Sequence, residues 1–313
     1  MDYELSVLRD AVQKAGKRVL QLAADGFETI IKKDRSPVTT ADLEVNRILH
    51  EALTKAVPED GWLSEETADD LRRLGKRIVD PIDGTKYFMR GIPQYAISVA
   101  LVEEGTLLLG VIYNPASNEL FYAIRGKGVW LNDTPIRAGG VGKERLVIFL
   151  NPGGFERGRF KAVEAAADCR PMGSIAYTLA QVACGRADGT INLDRMNEWD
   201  VAAGVLLIEE AGGSAADSTG QPLTFNRTNT VLSPPVPACM FKFGPWLKSY
   251  PPLAAHLPAL RIAALSPRSA TSCAFRALSH VRFALTFPHC HHSRAFRRVA
   301  DTHSLQPTVF SVT

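Results

Sequence analysis

One six-residue segment, Asp80-Pro81-Ile82-Asp83-Gly84-Thr85, constrains this chain more than any other. The preceding Arg77-Ile78-Val79-Asp80 reads as a short buried-type strand that runs into a Pro-Ile corner. At that corner Asp80 and Asp83 can aim both carboxylates at one point, with the Ile82 carbonyl turned inward between them. Glu65 and Glu66 stand just upstream and Asp200 far downstream, so the fold has to gather acids from distant positions. Oxygen-only donors suit a hard cation such as magnesium or manganese, and no His or Cys lies close by to favour zinc or copper. Gly84 gives close backbone access, and a helix beginning at Gly84 or Thr85 would offer free amides to a phosphate.

The surrounding pattern is mixed. Leu5, Leu8, Val12, Ala15, Val19 and Leu22 recur at helical spacing, which predicts an amphipathic helix over residues 3–24. Lys32 to Pro37 reads as an exposed hairpin or loop, after which Thr39 or Thr40 can cap a helix ending near Pro58, with Asp42 in its first turn. Runs Tyr95 to Val102, Leu107 to Tyr113 and Glu119 to Ile124 read as strands with short connections, hence an antiparallel sheet. Strand and helix then alternate: strand Leu146 to Leu150, helices Phe160 to Ala167 and Ile175 to Cys184, strand Gly189 to Leu193, helix Val201 to Ala211. The division predicted is an α+β lobe over 1–135, an α/β lobe over 136–237, and a separate segment over 238–313.

That last segment differs in character. It carries nine Lys/Arg against the single acid Asp301, while the whole chain is only +3. It has six of the seven histidines and no sustained periodicity, and is expected to be poorly ordered. Its charge alone would attract anions, but no nucleic-acid-binding module is recognisable in it, so nucleic acid is not expected as a partner. His289-Cys290-His291-His292 looks like a metal site at first glance, yet adjacent residues seldom converge on one tetrahedral ion. An apolar fraction of 46% over 313 residues is enough for a sizeable core. No apolar stretch is long enough to span a bilayer, the acidic start is unlike a secretory signal, and five cysteines lack paired spacing. A cytoplasmic protein without a membrane partner is the expectation.

Several separated motifs together resemble a known family, the lithium-sensitive, magnesium-dependent phosphomonoesterases of the inositol monophosphatase type, which include 3'(2'),5'-bisphosphate nucleotidase. They are Ser64-Glu65-Glu66-Thr67, the Asp80 to Thr85 segment, Gly110-Val111-Ile112-Tyr113-Asn114-Pro115, Gly126-Lys127-Gly128, Trp199-Asp200-Val201-Ala202-Ala203-Gly204 and Glu210-Ala211-Gly212-Gly213, covering about residues 1–237. The resemblance implies an α/β fold of the layered αβαβα sandwich type. It makes Glu65, Asp80, the Ile82 carbonyl, Asp83 and Asp200 ligands for two or three Mg2+ ions, replaceable by Mn2+ and inhibited through Li+. Asp42 and Thr85 would orient or deprotonate the attacking water, Gly84, Thr85, Gly173 and Ser174 would contact substrate, and Glu66 would stand behind the ligands. The partner implied is a small-molecule phosphomonoester, and family members are often homodimers. Lys86 after Asp-Gly-Thr is similar to the nucleotidase branch, placing the 3'-phosphate of 3'-phosphoadenosine 5'-phosphate ahead of inositol 1-phosphate, although Tyr87 departs from that branch. The non-enzymatic alternative is a phosphate-binding regulatory protein with a compromised C-terminal lobe.

Plainer readings stand beside these roles. Asp80 and Asp83 alone could be a solvated turn, Asp42 could only offset the helix dipole, and Ser174 could only cap the helix that follows it. Trp199 reads as core packing, Cys169 and Cys184 as small buried apolar residues, and Asp194, Arg195 and Glu198 as residues near the leaving group.

Overall fold

The computed structural model describes residues 2–70, 75–139, 145–217, 221–232 and 239–240. Apart from a two-residue strand at Cys239–Met240, the expectations for 238–313, including the His289 to His292 cluster, lie outside the described residues. Helices α1 (Asp2–Asp25) and α2 (Thr40–Ala56) flank a hairpin of β1 (Thr29–Ile31) and β2 (Pro37–Thr39). Next come β3 (Gly61–Ser64), β4 (Gly75–Asp83), α3 (Thr85–Phe88), β5 (Ala96–Glu103), β6 (Thr106–Asn114), β7 (Glu119–Ile124), β8 (Gly128–Leu131) and β9 (Thr134–Pro135). The rest comprises β10 (Val147–Leu150), α4 (Pro152–Glu156), α5 (Lys161–Glu164), β11 (Asp168–Pro171), α6 (Ile175–Ala183), β12 (Gly189–Ile191), β13 (Met196–Asn197), α7 (Glu198–Glu210), β14 (Ser214–Ala215), β15 (Val231–Leu232) and β16 (Cys239–Met240).

Strands β3 to β9 form a seven-stranded sheet in sequence order. It is antiparallel from β4 onward, as expected for β5 to β7, and β3, which the sequence did not reveal, joins β4 in parallel. A second, five-stranded sheet runs β11-β10-β12-β16-β14, with β10 parallel to both β11 and β12.

Alternation along the strands decides which layer each side chain enters. Val79, Ile97, Val99 and Val111 pack against Leu8, Val12, Val45 and Leu49 of α1 and α2. The other face, with Ile78, Ala100, Ile112 and Phe121, packs on Leu179 of α6 and Val205 and Leu206 of α7. Val147 and Phe149 of β10 close that same cluster from beyond the helices, whereas Ile148 and Leu150 turn away toward Phe160, Val163 and Phe155. The result is five layers, α1/α2, sheet, α6/α7, sheet and α4/α5, the αβαβα sandwich.

Some boundaries differ from expectation. The helix predicted from Phe160 to Ala167 is a single turn, because Asp168 N–H bonds the Leu146 carbonyl at 2.8 Å and draws the chain into β11. Helix α7 begins three residues before the predicted Val201, and the predicted helix at Gly84 is only the four-residue α3.

Strand β4, which delivers the acidic corner, is anchored by buried charges. Lys76 is fully buried and pairs with Asp69 and Asp70, while Arg77 reaches Asp60 at 2.7 Å and Glu4 at 3.3 Å. Helix α7 lies close on two sides: a Cβ on Gly110 would stand 3.0 Å from the Ala203 carbonyl, and one on Gly204 2.5 Å from Leu179 Cβ. A Gly204→Ala change should therefore cost about 1–3 kcal/mol through overpacking. The check is urea unfolding, where the midpoint should fall while the slope stays constant.

Candidate metal centre

The bulge in β4 builds the site. Its pairing with β5 slips between Asp80 and Asp83, so that the two carboxylates leave the regular alternation. Gly84 follows at φ 92°, a left-handed conformation, and a Cβ there would sit 2.7 Å from the Gln94 carbonyl. Only glycine meets both demands. Asp200 arrives from the first turn of α7, and one oxygen from each of Asp80, Asp83 and Asp200 falls within 4.8 Å of the others.

Each carboxylate is oriented by its neighbours. Asp83 Oδ2 accepts from Ser174 Oγ and from Ala176 N–H at 2.5 Å. Ser174, fully buried, also accepts from Tyr177 N–H at 3.0 Å, so it caps α6 and fixes Asp83 at once. Asp200 Oδ2 accepts from the N-cap Asn197 N–H at 2.6 Å. Asp80 Oδ1 is buried with no hydrogen-bond partner among the described residues. An orphaned carboxylate oxygen beside two further carboxylates, with oxygen donors throughout, fits a hard divalent cation.

Asp42 lies beside this cluster. Its Oδ2 accepts from Thr39 N–H at 2.7 Å and Thr39 Oγ1 at 2.5 Å, completing the capping box of α2, while its Oδ1 faces Thr85 Oγ1 at 3.1 Å. Thr85 Oγ1 also lies 3.1 Å from the Ile82 carbonyl. Thr39, rather than Thr40, is the cap. Gly173 packs under Tyr87: a Cβ there would stand 2.5 Å from the ring, and its N–H bonds Gln94 Oε1 at 3.0 Å.

Burial, with the crowding of like charge behind it, raises the proton affinity throughout. Burial, then the charges of Glu65, Asp83, Asp200 and Asp42, push Asp80 well up; burial and chiefly Asp83 do the same to Asp200. Burial lifts Asp83 to about 7 against the opposing bonds from Ser174 and Ala176. Asp42 is raised mainly by burial.

Glu65 sits close enough for its charge to act on all four aspartates, but its carboxylate is held by Lys32 Nζ at 2.9 Å and stands outside the three-carboxylate cluster. The same ammonium holds Glu66 at 2.7 Å, and burial pushes Glu66 up to about 7. Lys32, from the turn of the β1–β2 hairpin, escaped the sequence reading, because only the fold brings it to the two acids. Glu198 does not face the leaving group: it is fully buried under residues 226–227. Asp194 is held by Arg159 and Asn151, each at 2.5 Å, and Arg195 is exposed. Trp199 packs partly buried against the central core, and Cys169 and Cys184 are half-buried rather than buried.

Residues 1–241 match the Inositol monophosphatase family. An inositol-1-monophosphatase of Rhizobium meliloti is 38% identical over 235 residues, covering 69% of this chain and 86% of the relative. A Nus factor SuhB of Xylella fastidiosa is also 38% identical, over 69% of this chain and 82% of its own length. The solved structure of an IMPase of Thermotoga maritima superposes with TM-score 0.66 at 31% identity, over 71% of this chain and 88% of that one. With its αβαβα layers and its acidic corner, the chain belongs to the inositol monophosphatase family.

Proposed function

We propose that this chain is a magnesium-dependent phosphomonoesterase acting on a small hydroxylated phosphate ester, with inositol 1-phosphate ahead of 3'-phosphoadenosine 5'-phosphate. The observation that carries the hydrolytic reading is the Asp80, Asp83 and Asp200 cluster, with its orphaned Asp80 oxygen, beside the Asp42–Thr85 pair. The substrate order rests on the Rhizobium meliloti relative, an inositol-1-monophosphatase 38% identical to this chain. The nucleotide reading rests on Lys86, whose side chain is exposed on α3. A phosphate-binding regulatory role is the reading left if the folded chain proves inert; the complete donor set favours catalysis.

Asp80, Asp83, Asp200, Glu65 and the Ile82 carbonyl would hold the cations, with manganese an acceptable substitute and lithium an inhibitor. When bound, such a cation supplies positive charge to the phosphate oxygens and lowers the pKa of water. The chain's own groups then move the proton. Thr85 has one hydroxyl proton, for which Asp42 Oδ1 and the Ile82 carbonyl compete at equal 3.1 Å distances. With that proton donated to Asp42, a Thr85 lone pair faces an incoming water, and the raised proton affinity of Asp42 equips it as the final acceptor. Ser174 keeps Asp83 fixed meanwhile, and Gly84 and Gly173 leave backbone exposed beside the ester.

An Asp83→Asn variant should lose at least about a hundredfold in turnover, the scale expected when a cation's charge is withdrawn from the transition state. Its melting temperature should not fall, since the Asn carbonyl can still accept from Ser174 and Ala176 and one repelling charge is removed. Phosphate release from inositol 1-phosphate, 3'-phosphoadenosine 5'-phosphate and sugar phosphates, with and without magnesium, tests both claims; undiminished turnover by the variant would remove Asp83 from the site. Faster release from the nucleotide would reverse the substrate order.

Raised carboxylates also link folding to pH. Asp83 and Glu66, raised from ordinary values of 3.8 and 4.5 to about 7, bind more protons when folded, so stability falls as pH climbs through that interval. In chelator the melting temperature should drop between about pH 4 and about pH 7. Magnesium should raise it more at the higher pH, as thermal denaturation with and without the ion would record.

A further inference from the structure

Glu198 is an unusual residue to find fully buried two positions before Asp200. Its carboxylate is answered by a single loop. Oε2 accepts from Asn226 N–H at 2.6 Å, and Oε1 from Arg227 N–H at 3.0 Å and Arg227 Nε at 3.4 Å. Consecutive amides converge on one acid because Asn226 adopts a left-handed φ of 59°, the geometry of a backbone anion nest. Arg227 also donates through Nη2 to the Val231 carbonyl at 2.7 Å, which ties the gripped turn to β15.

That strand bears on the metal centre. β15 pairs with β13, matching Asn197 with Val231, and Glu198 N–H bonds the Thr230 carbonyl at 3.0 Å. Asn197 is the residue whose N–H occupies Asp200 Oδ2 at 2.6 Å. A continuous series of bonds therefore joins the Glu198 carboxylate, the 226–232 loop, the Asn197 backbone and the orientation of Asp200. Met196 of β13, Leu232 of β15 and Phe225 also pack in the central core, so the Glu198 bonds add orientation to a segment already anchored by burial.

We propose that Glu198 is a positioning residue for the metal centre: by gripping the Asn226–Arg227 amides it holds the 226–232 loop against β13, and so aims Asp200 at Asp80 and Asp83. The inference rests on the metal reading given above. Groups that orient ligands from behind typically change metal affinity by about 10- to 100-fold when removed.

The test is Mn2+ binding to the full chain, followed by electron paramagnetic resonance without substrate, for the unaltered protein, Glu198→Gln and Arg227→Ala. Gln keeps the shape but turns an N–H2 toward donors, so its Mn2+ dissociation constant should rise about tenfold or more. Turnover should recover at excess metal, a readout that a purely structural residue would not give. Should Glu198→Gln fail to fold, Arg227→Ala, which leaves both amides in place, should show the same change at smaller size. Normal binding by the unaltered chain, with a variant that melts lower yet binds Mn2+ equally well, overturns the inference alone. No binding by the unaltered chain overturns the metal reading and this inference together.

Discussion

Mutual repulsion among gathered carboxylates is the constraint around which this molecule is organised. Asp80 and Asp83 are buried, and their oxygens and one from Asp200 crowd within 4.8 Å. At an effective dielectric of about 20, each charged pair at that spacing opposes folding by roughly 3 kcal/mol. The apolar layers above and below the seven-stranded sheet have to supply the compensation, since the described hydrogen bonds leave Asp80 Oδ1 with none. Burial and this repulsion together raise the proton affinities of Asp80, Asp83 and Asp200.

The rest of the architecture can be read as a means of delivering acids to one place. β4 carries two of them past a bulge, held in register by buried Lys76 and Arg77. Helices α2 and α7 bring Asp42 and Asp200 in their first turns, where helix geometry and the N-cap backbone leave little freedom. Lys32 offsets part of the accumulated charge by binding Glu65 and Glu66 together.

Much of this was legible in the sequence where chemistry is local. The Asp80 to Thr85 segment announces its corner through Pro and Gly, and the apolar runs of β5 to β7 mark them as strands buried on both faces. Contacts that depend on distant chain segments were not legible. Lys32 lies 33 residues from Glu65, and nothing in the run from Lys32 to Pro37 shows that its turn folds over the acids. Glu198 resembles ordinary compensation of a helix dipole until the 226–227 amides are seen above it. β3 was missed because a four-residue strand ending at Ser64 carries too little periodicity to stand out.

Asp42 and Asp200 share a further property: each gives one oxygen to the backbone at a helix start, while Asp42 turns its other to Thr85 and Asp200 places a carboxylate oxygen in the acidic cluster. The two oxygens answer to different selection, one to folding and one to chemistry. An asparagine at either position can satisfy the backbone with its carbonyl while presenting an amide to the cluster. A lineage of such chains is thus one codon change away from an intact scaffold that has shed hydrolysis, a short route by which a catalyst's shell becomes available for other work.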